Sequence, residues 1–193
     1  MDLLKERILK DGRVIDGRII KVDNFLNHQL DIDLFNEIGK EFYRRFAAKN
    51  ITRILTIETS GVAIAAITAQ YFHVPVVFAK KQEAGNLSPE VFASEVYSFT
   101  KDKYYKIRVD KRFIQPTDRV LIIDDFLAQG NAVCGLIDIV QAARAEVAGV
   151  GIVIEKGFQK GREKILKRAP VQIESLAIIK GFQGDKIIFE NTD

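Results

Sequence analysis

The chain has 193 residues, 47% of them hydrophobic, enough to bury one sizeable core as a single compact domain without a disulfide or metal staple. One cysteine, Cys134, excludes an internal bridge and fits a reducing cytoplasm, while His28 and His73 have no companion at metal-site spacing. A net charge of +3, from 29 basic and 26 acidic residues, suits a small polyanionic substrate and does not demand nucleic acid.

The start, Met1-Asp2-Leu3-Leu4-Lys5-Glu6-Arg7, is too charged for a signal peptide. Residues 2–10 carry Leu3, Leu4, Ile8 and Leu9 on one side and read as a short amphipathic helix ended by Gly12. Strands are expected at 13–15 and 18–22 around the turn Asp16-Gly17, then a polar stretch, 23–29, around Phe25 and Leu26. A helix over 31–49 places Phe35, Ile38, Phe42 and Phe46 on one face, with Asp31 or Asp33 as its cap. That aromatic stripe reads as core.

A strand at 53–58, the loop Thr59-Ser60-Gly61 and an Ala-rich helix to about Phe72 form a strand–loop–helix unit. Its small-residue loop makes a candidate anion site. Residues 75–79 form another strand, followed by Lys80 and Lys81. The region 54–79 is broken by Glu58, Gln70, His73 and Pro75, so it is not a membrane span. Residues 82–95 read as a long mobile loop with the character of a lid. Segments 96–100 and 104–109 read as a hairpin that would be its stalk.

The most informative stretch is 120–132, VLIIDDFLAQGNA. Val120–Ile123 read as a buried strand with Asp124 and Asp125 at its tip. A loop with Gly130 follows, then a helix from about Asn131 to Arg144, with Leu136, Ile137, Val140 and Ala143 inward. A helix N-terminus beside such a loop offers N–H groups to a phosphate. Two carboxylates there suit sugar hydroxyls or a divalent cation. No Gly-Lys-Ser/Thr follows, and Gly130 stands alone, so neither a nucleotide P-loop nor a dinucleotide fingerprint is present. Further on, 147–155 is a buried parallel strand ending in Glu155-Lys156-Gly157-Phe158. A helix at 159–168 and strands at 171–179 and 186–189, turned by Gly184-Asp185, complete the chain.

Residues 120–132 resemble the 5-phosphoribosyl-1-diphosphate (PRPP) motif of type I phosphoribosyltransferases, with Gln129, Asn131 and Ala132 where that motif carries Thr-Gly-x-Thr around its glycine. Over essentially its whole length the chain is most similar to the bacterial xanthine-specific branch, most visibly at 19–29, 58–65, 96–101, 122–132 and 151–163. The resemblance implies an α/β fold with a central, mostly parallel sheet flanked by helices. It also implies a small hood from about residues 1–30 and part of the C-terminal region, over a core of about 31–180. It implies transfer of the phosphoribosyl group of PRPP to xanthine in a cytoplasmic homodimer that uses Mg²⁺ and binds neither nucleic acid nor membrane. Asp124 and Asp125 would hold the ribose. Ala128, Gln129, Gly130, Asn131 and Ala132 would hold the 5′-phosphate, and Ser60, Gly61, Lys80 and Lys81 the pyrophosphate. Ile20, Asn27, Lys156 and Phe158 would meet the purine. Other acceptor bases, and a PRPP-sensing regulator of nucleic acid, are the alternatives at this point.

Overall fold

The computed structural model describes residues 1–17, 19–81, 90–98 and 102–190. Helix α1 (Asp2–Asp11) is followed by a two-stranded hairpin, β1 (Arg13–Ile15) and β2 (Ile19–Lys21), and a π-helical turn, Asp23–Asn27. Asp16 and Gly17 both take positive φ, the conformation that an Asp-Gly turn favours. Only Leu4 and Ile8 of α1 are buried; Leu3 and Leu9 lie in solvent, so the apolar face is narrower than the sequence suggests.

Helix α2 (Ile32–Phe46) begins at Asp31, whose carboxylate accepts the Leu34 N–H at 3.1 Å. Its last expected turn, Ala47–Lys49, is 3-10 helix. There follow β3 (Arg53–Ile57), α3 (Ser60–Phe72), β4 (Val76–Ala79), β5 (Val91–Ser98) and β6 (Lys103–Asp110). Then come β7 (Arg119–Leu127), α4 (Asn131–Ala142), β8 (Glu146–Lys156), α5 (Gly161–Arg168), β9 (Ile173–Gln183) and β10 (Lys186–Phe189).

The six-stranded sheet has the order β10-β9-β8-β7-β3-β4, parallel except for the β9–β10 pair. It divides the core into two layers. On one side Phe25, Phe35, Phe42 and Phe46 pack with Ile64 and Ile123; on the other Val96, Ile107, Leu136, Ile137 and Ile165 pack with Ile122 and Ile152. Two glycines of β8 let α2 approach. A Cβ on Gly149 would lie 2.5 Å from the Phe46 ring, and one on Gly151 would lie 2.8 Å from that of Phe42.

The hairpin β5–β6 is longer than expected. Residues 91–95, read from sequence as part of a loop, belong to β5, because Val96 is buried and eight residue pairs extend the ladder. The rest of the proposed lid, 82–89, lies outside the described residues.

Glu41 ties α2 to the sheet through Arg45, which also reaches Glu174 at 2.9 Å. The Arg44 guanidinium first, and Arg45 second, hold the Glu41 carboxyl down at about 2 against an ordinary 4.5. A depressed acid adds stability above its unfolded pKa and loses it as pH falls through the folded one. Glu41→Gln is therefore expected to lower the melting temperature at pH 7 by about 2–4 °C at most, the range for a partly exposed pair in a chain of this size. By pH 2 most of the difference between the two proteins should be gone.

Candidate functional site

The sheet order reverses between β7 and β3. From β3 the chain crosses to β4 on one side, and from β7 it runs through β8 to β9 on the other. In open α/β sheets the crevice at such a reversal, beyond the strand C-termini, is where ligands bind. The β3–β7 ladder stops at Leu55–Ile122, whereas β7 remains paired with β8 as far as Leu127–Glu155. Beyond Ile122 the β3 side of β7 is therefore open, and Asp124 and Asp125 lie on that stretch.

This corrects the expected position of the two acids. They sit within β7, not past its end, because β8 supplies main-chain partners to the last residue. Asp124 is buried and accepts the Asp125 N–H at 3.0 Å; Asp125 is half-buried and accepts the Phe126 N–H at 2.9 Å. Burial first, and the Asp125 charge second, push the Asp124 carboxyl well above its usual range, while Lys81 opposes the shift. Gly61 packs beside it: a Cβ there would stand 3.3 Å from Asp124 Oδ1. Tyr105 of β6 is close enough for Asp124 to raise its hydroxyl pKa, after the larger effect of burial. The turn into α3, which includes a cis Glu58–Thr59 peptide bond, thus stands against the acidic pair.

After β7, Ala128–Gly130 form the loop. Gly130 has φ +77°, and α4 begins with no side-chain cap. A cavity of 490 Å³ opens over it, lined by Phe126 to Val133, Tyr97 and Tyr105 of the hairpin, and Lys156 and Gln159. All five residues expected at a phosphate line this cavity. The Asn131 amide, however, is occupied at both ends. Its Nδ2 donates to the Tyr97 carbonyl at 2.9 Å and its Oδ1 accepts from Lys164. What Asn131 leaves for an anion is its main chain.

Lys80 and Lys81 part company. Lys80 is bridged to Arg108 by main-chain bonds of 2.9 and 3.0 Å and lines a separate 510 Å³ cavity along β4, with Phe78 and Phe113. Lys81 donates its N–H to Glu58 Oε1 at 2.5 Å and holds its ammonium 5.7 Å from the Tyr105 ring centroid, on the side of the acids. Consecutive residues leaving a strand face opposite ways, so two adjacent lysines cannot both address one pocket easily.

On the far side of β7, the Lys156 ammonium lies 5.8 Å from the centroid of Phe126, and burial lowers its pKa. Phe158 is exposed and meets Phe182 edge-on at 5.7 Å. Asn27 is exposed at the end of the π-helical turn. Ile20 is only 6% exposed and packs into the core with Phe25 and Leu26, because it faces inward from its short hairpin. It does not line the cavity.

Sequence reasoning missed Tyr97, Tyr105, Phe126, Gln159 and Glu58. The register Val96–Tyr105 and Tyr97–Tyr104 brings the tyrosines to the cavity, and pairing register is not written in either strand alone. Phe126 had a visible signal: an aromatic directly after the acids breaks the aliphatic run of β7. Among the described residues no group of three or more His, Cys, Asp or Glu side chains converges as a metal cage. No helix among them is long and apolar enough to cross a membrane.

The family model described as phosphoribosyl transferase domain matches residues 21–182. The chain is 61% identical to a xanthine phosphoribosyltransferase of Clostridium novyi over 191 residues, covering 99% of this chain and all of that one. It is 60% identical to a xanthine phosphoribosyltransferase of Clostridium tetani, with 98% and 100% covered. Among solved structures, an adenine phosphoribosyltransferase of Giardia lamblia bound to 9-deazaadenine superposes with TM-score 0.76 over 91% of this chain and 96% of that chain. Its 23% identity speaks for the fold alone.

Proposed function

The chain belongs to the phosphoribosyltransferase family and, within it, to the xanthine phosphoribosyltransferases, and from that premise we infer which part of the cleft serves each portion of the substrates. The enzyme transfers the phosphoribosyl group of PRPP to xanthine, giving xanthosine 5′-monophosphate (XMP) and pyrophosphate, a purine-salvage reaction. The observation that carries the assignment of parts is the acidic pair beside an uncapped helix start at the sheet's reversal point.

A base nitrogen displaces pyrophosphate at C1 of the ribose. Positive charge grows on the sugar and negative charge on the leaving group, so stabilising both ends is what the protein can contribute. Asp124 and Asp125 accept hydrogen bonds from the ribose hydroxyls. Main-chain N–H groups of Ala128, Gln129, Gly130, Asn131 and Ala132 hold the 5′-phosphate. Ser60, Gly61 and Lys81 face the pyrophosphate, with Lys80 more remote. Two adjacent carboxylates, one buried and one half-buried, suit a hard divalent cation such as Mg²⁺, so Asp124 and Asp125 would hold it. When bound, it neutralises pyrophosphate charge. Lys156 donates to an exocyclic oxygen of the purine, Phe126 and Phe158 flank the ring, and Asn27 reads a second oxygen from the hood. A homodimer in the cytoplasm, with no nucleic-acid partner, follows from the resemblance; sedimentation of the purified protein tests the dimer.

Incubation with PRPP, Mg²⁺ and each of xanthine, guanine, hypoxanthine and adenine tests the reading. XMP should form fastest; a faster product from another base would reassign the acceptor. Ala128 stands where the hypoxanthine-guanine enzymes carry an aspartate placed to take a proton from the purine. Xanthine is itself a fairly acidic base, so the acid limb of the pH–rate profile should follow the ionisation of the purine. The alkaline limb should reflect Lys156, whose charge is lost at lower pH than for a free lysine because burial depresses its pKa. An alkaline limb unchanged in Lys156→Arg would remove that assignment.

A further inference from the structure

The phosphate loop does not stand alone: the start of α5 lies against its underside. A Cβ on Gly130 would be 2.8 Å from the Gly161 carbonyl oxygen and 3.1 Å from Gly161 Cα. In the other direction, a Cβ on Gly161 would be 2.3 Å from the Ala128 carbonyl oxygen and 3.0 Å from Gly130 N. Two main chains are in contact with no room for a methyl group between them. The atoms that would have to yield are backbone, which cannot swing aside as a side chain does.

The next residue fixes this contact in place. Arg162 donates from Nε to Glu155 Oε1 at 3.0 Å and from Nη2 to Glu155 Oε2 at 2.6 Å. It also reaches the Ile173 carbonyl and Ser175 Oγ, each at 3.2 Å, and Ser175 Oγ donates to Glu155. Glu155 is 3% exposed and touches no part of the cavity. A carboxylate that deep is costly unless fully paired. This one is paired by a planar fork, which fixes orientation as well as charge. One turn on, Lys164 bonds the Asn131 amide, so α5 meets the loop at both of its ends.

We propose that Gly161 and Arg162 are positioning residues for the 5′-phosphate: Glu155 and Ser175 lock Arg162, Arg162 locks the start of α5, and Gly161 sets the curvature of the 128–132 loop. The inference rests on the assignment of that loop to the 5′-phosphate. It distinguishes ligands that carry this phosphate from those that do not. PRPP and XMP carry it; xanthine and pyrophosphate do not.

Gly161→Ala is expected to raise KM for PRPP about tenfold or more, since a misplacement of order 1 Å costs up to about a hundredfold. In the reverse reaction KM for XMP should rise alongside it. KM for xanthine and for pyrophosphate, and kcat, should stay within about twofold. Arg162→Lys keeps the charge but not the fork. It should show the same split at about a third of the size, and it carries the test if Gly161→Ala does not fold. Equal changes in all four KM values, or KM for PRPP and XMP unchanged in both variants, would overturn the proposal. If wild-type protein bound PRPP with no dependence on its 5′-phosphate, the loop assignment itself would fall, a result read on wild type alone.

Discussion

Asp124→Asn is expected to lower kcat/KM by about two to three orders of magnitude, the loss typical when a preorganised charge partner of the transition state is removed. The same change should make the protein more stable at neutral pH. The introduced carboxamide keeps an oxygen for the Asp125 N–H but no longer offers charge to the ribose hydroxyls that Asp124 is proposed to hold as the sugar turns cationic. The stability gain follows from the raised pKa. Burial and the neighbouring Asp125 lift the Asp124 carboxyl above its ordinary 3.8, so folding favours the protonated form. The stability tied to this group is complete below pH 3.8 and is lost as pH rises through the higher folded value. A neutral amide escapes that loss. Melting curves should therefore place the variant above wild type at pH 8 and bring the two together near pH 4. Activity within tenfold of wild type, or a lower melting temperature at pH 8, would count against the role given to Asp124. Asp125→Asn should show a kinetic loss of the same order.

Gly61→Ala is the second large effect. Its Cβ would fall 2.1 Å from Thr56 Oγ1 and 3.3 Å from Asp124 Oδ1. Thr56 is fully buried on β3, and its hydroxyl has no hydrogen-bond partner among the described residues, so nothing tethers that oxygen. Of its two other staggered rotamers, one puts the methyl group in the same place and the other needs room for both heavy atoms elsewhere in a site with no exposed surface. The relief expected is α3 moving off β3, which carries Ser60 away from the acids. A drop in kcat/KM of about a hundredfold is expected. Thr56→Ala removes the atom in the way, so the double variant Gly61→Ala/Thr56→Ala should recover at least about a tenth of wild-type activity. Strict additivity of the two single changes would exclude the contact as the cause.

The two strand–loop–helix units, the aromatic stripe of α2 and the buried run of β8 are legible in the sequence because each has its own period and punctuation. The cap at Asp31, the turn at Asp16-Gly17 and the helix start at Asn131 stand where local chemistry puts them. Features that depend on a second segment are not legible. Asp-Asp reads as a strand terminator, which sets the acids past the strand, yet β8 holds the ladder through them. Residues 91–95 look like loop until β6 is there to pair with them. Asn131 looks free to bind phosphate, and only the fold brings the Tyr97 carbonyl and Lys164 to its two ends. Ile20 matches the hood motif, but which face of a three-residue strand turns inward is decided by what packs on it.

Past Ile122, β7 has a strand neighbour on one edge only among the described residues, and that neighbour ends in Lys156. Asp124, Asp125 and Lys156, proposed above to grip the sugar and the base, therefore ride on one laddered block of β7, β8 and β9, since β8 stays paired with β9 as far as Lys156–Ile179 while the β3 margin of β7 is open. When such a block shifts against β3, both grips travel together. On the proposed assignment the spacing between the purine nitrogen and the anomeric carbon is set within that block, while the pyrophosphate side belongs to the β3–α3 turn across the open margin.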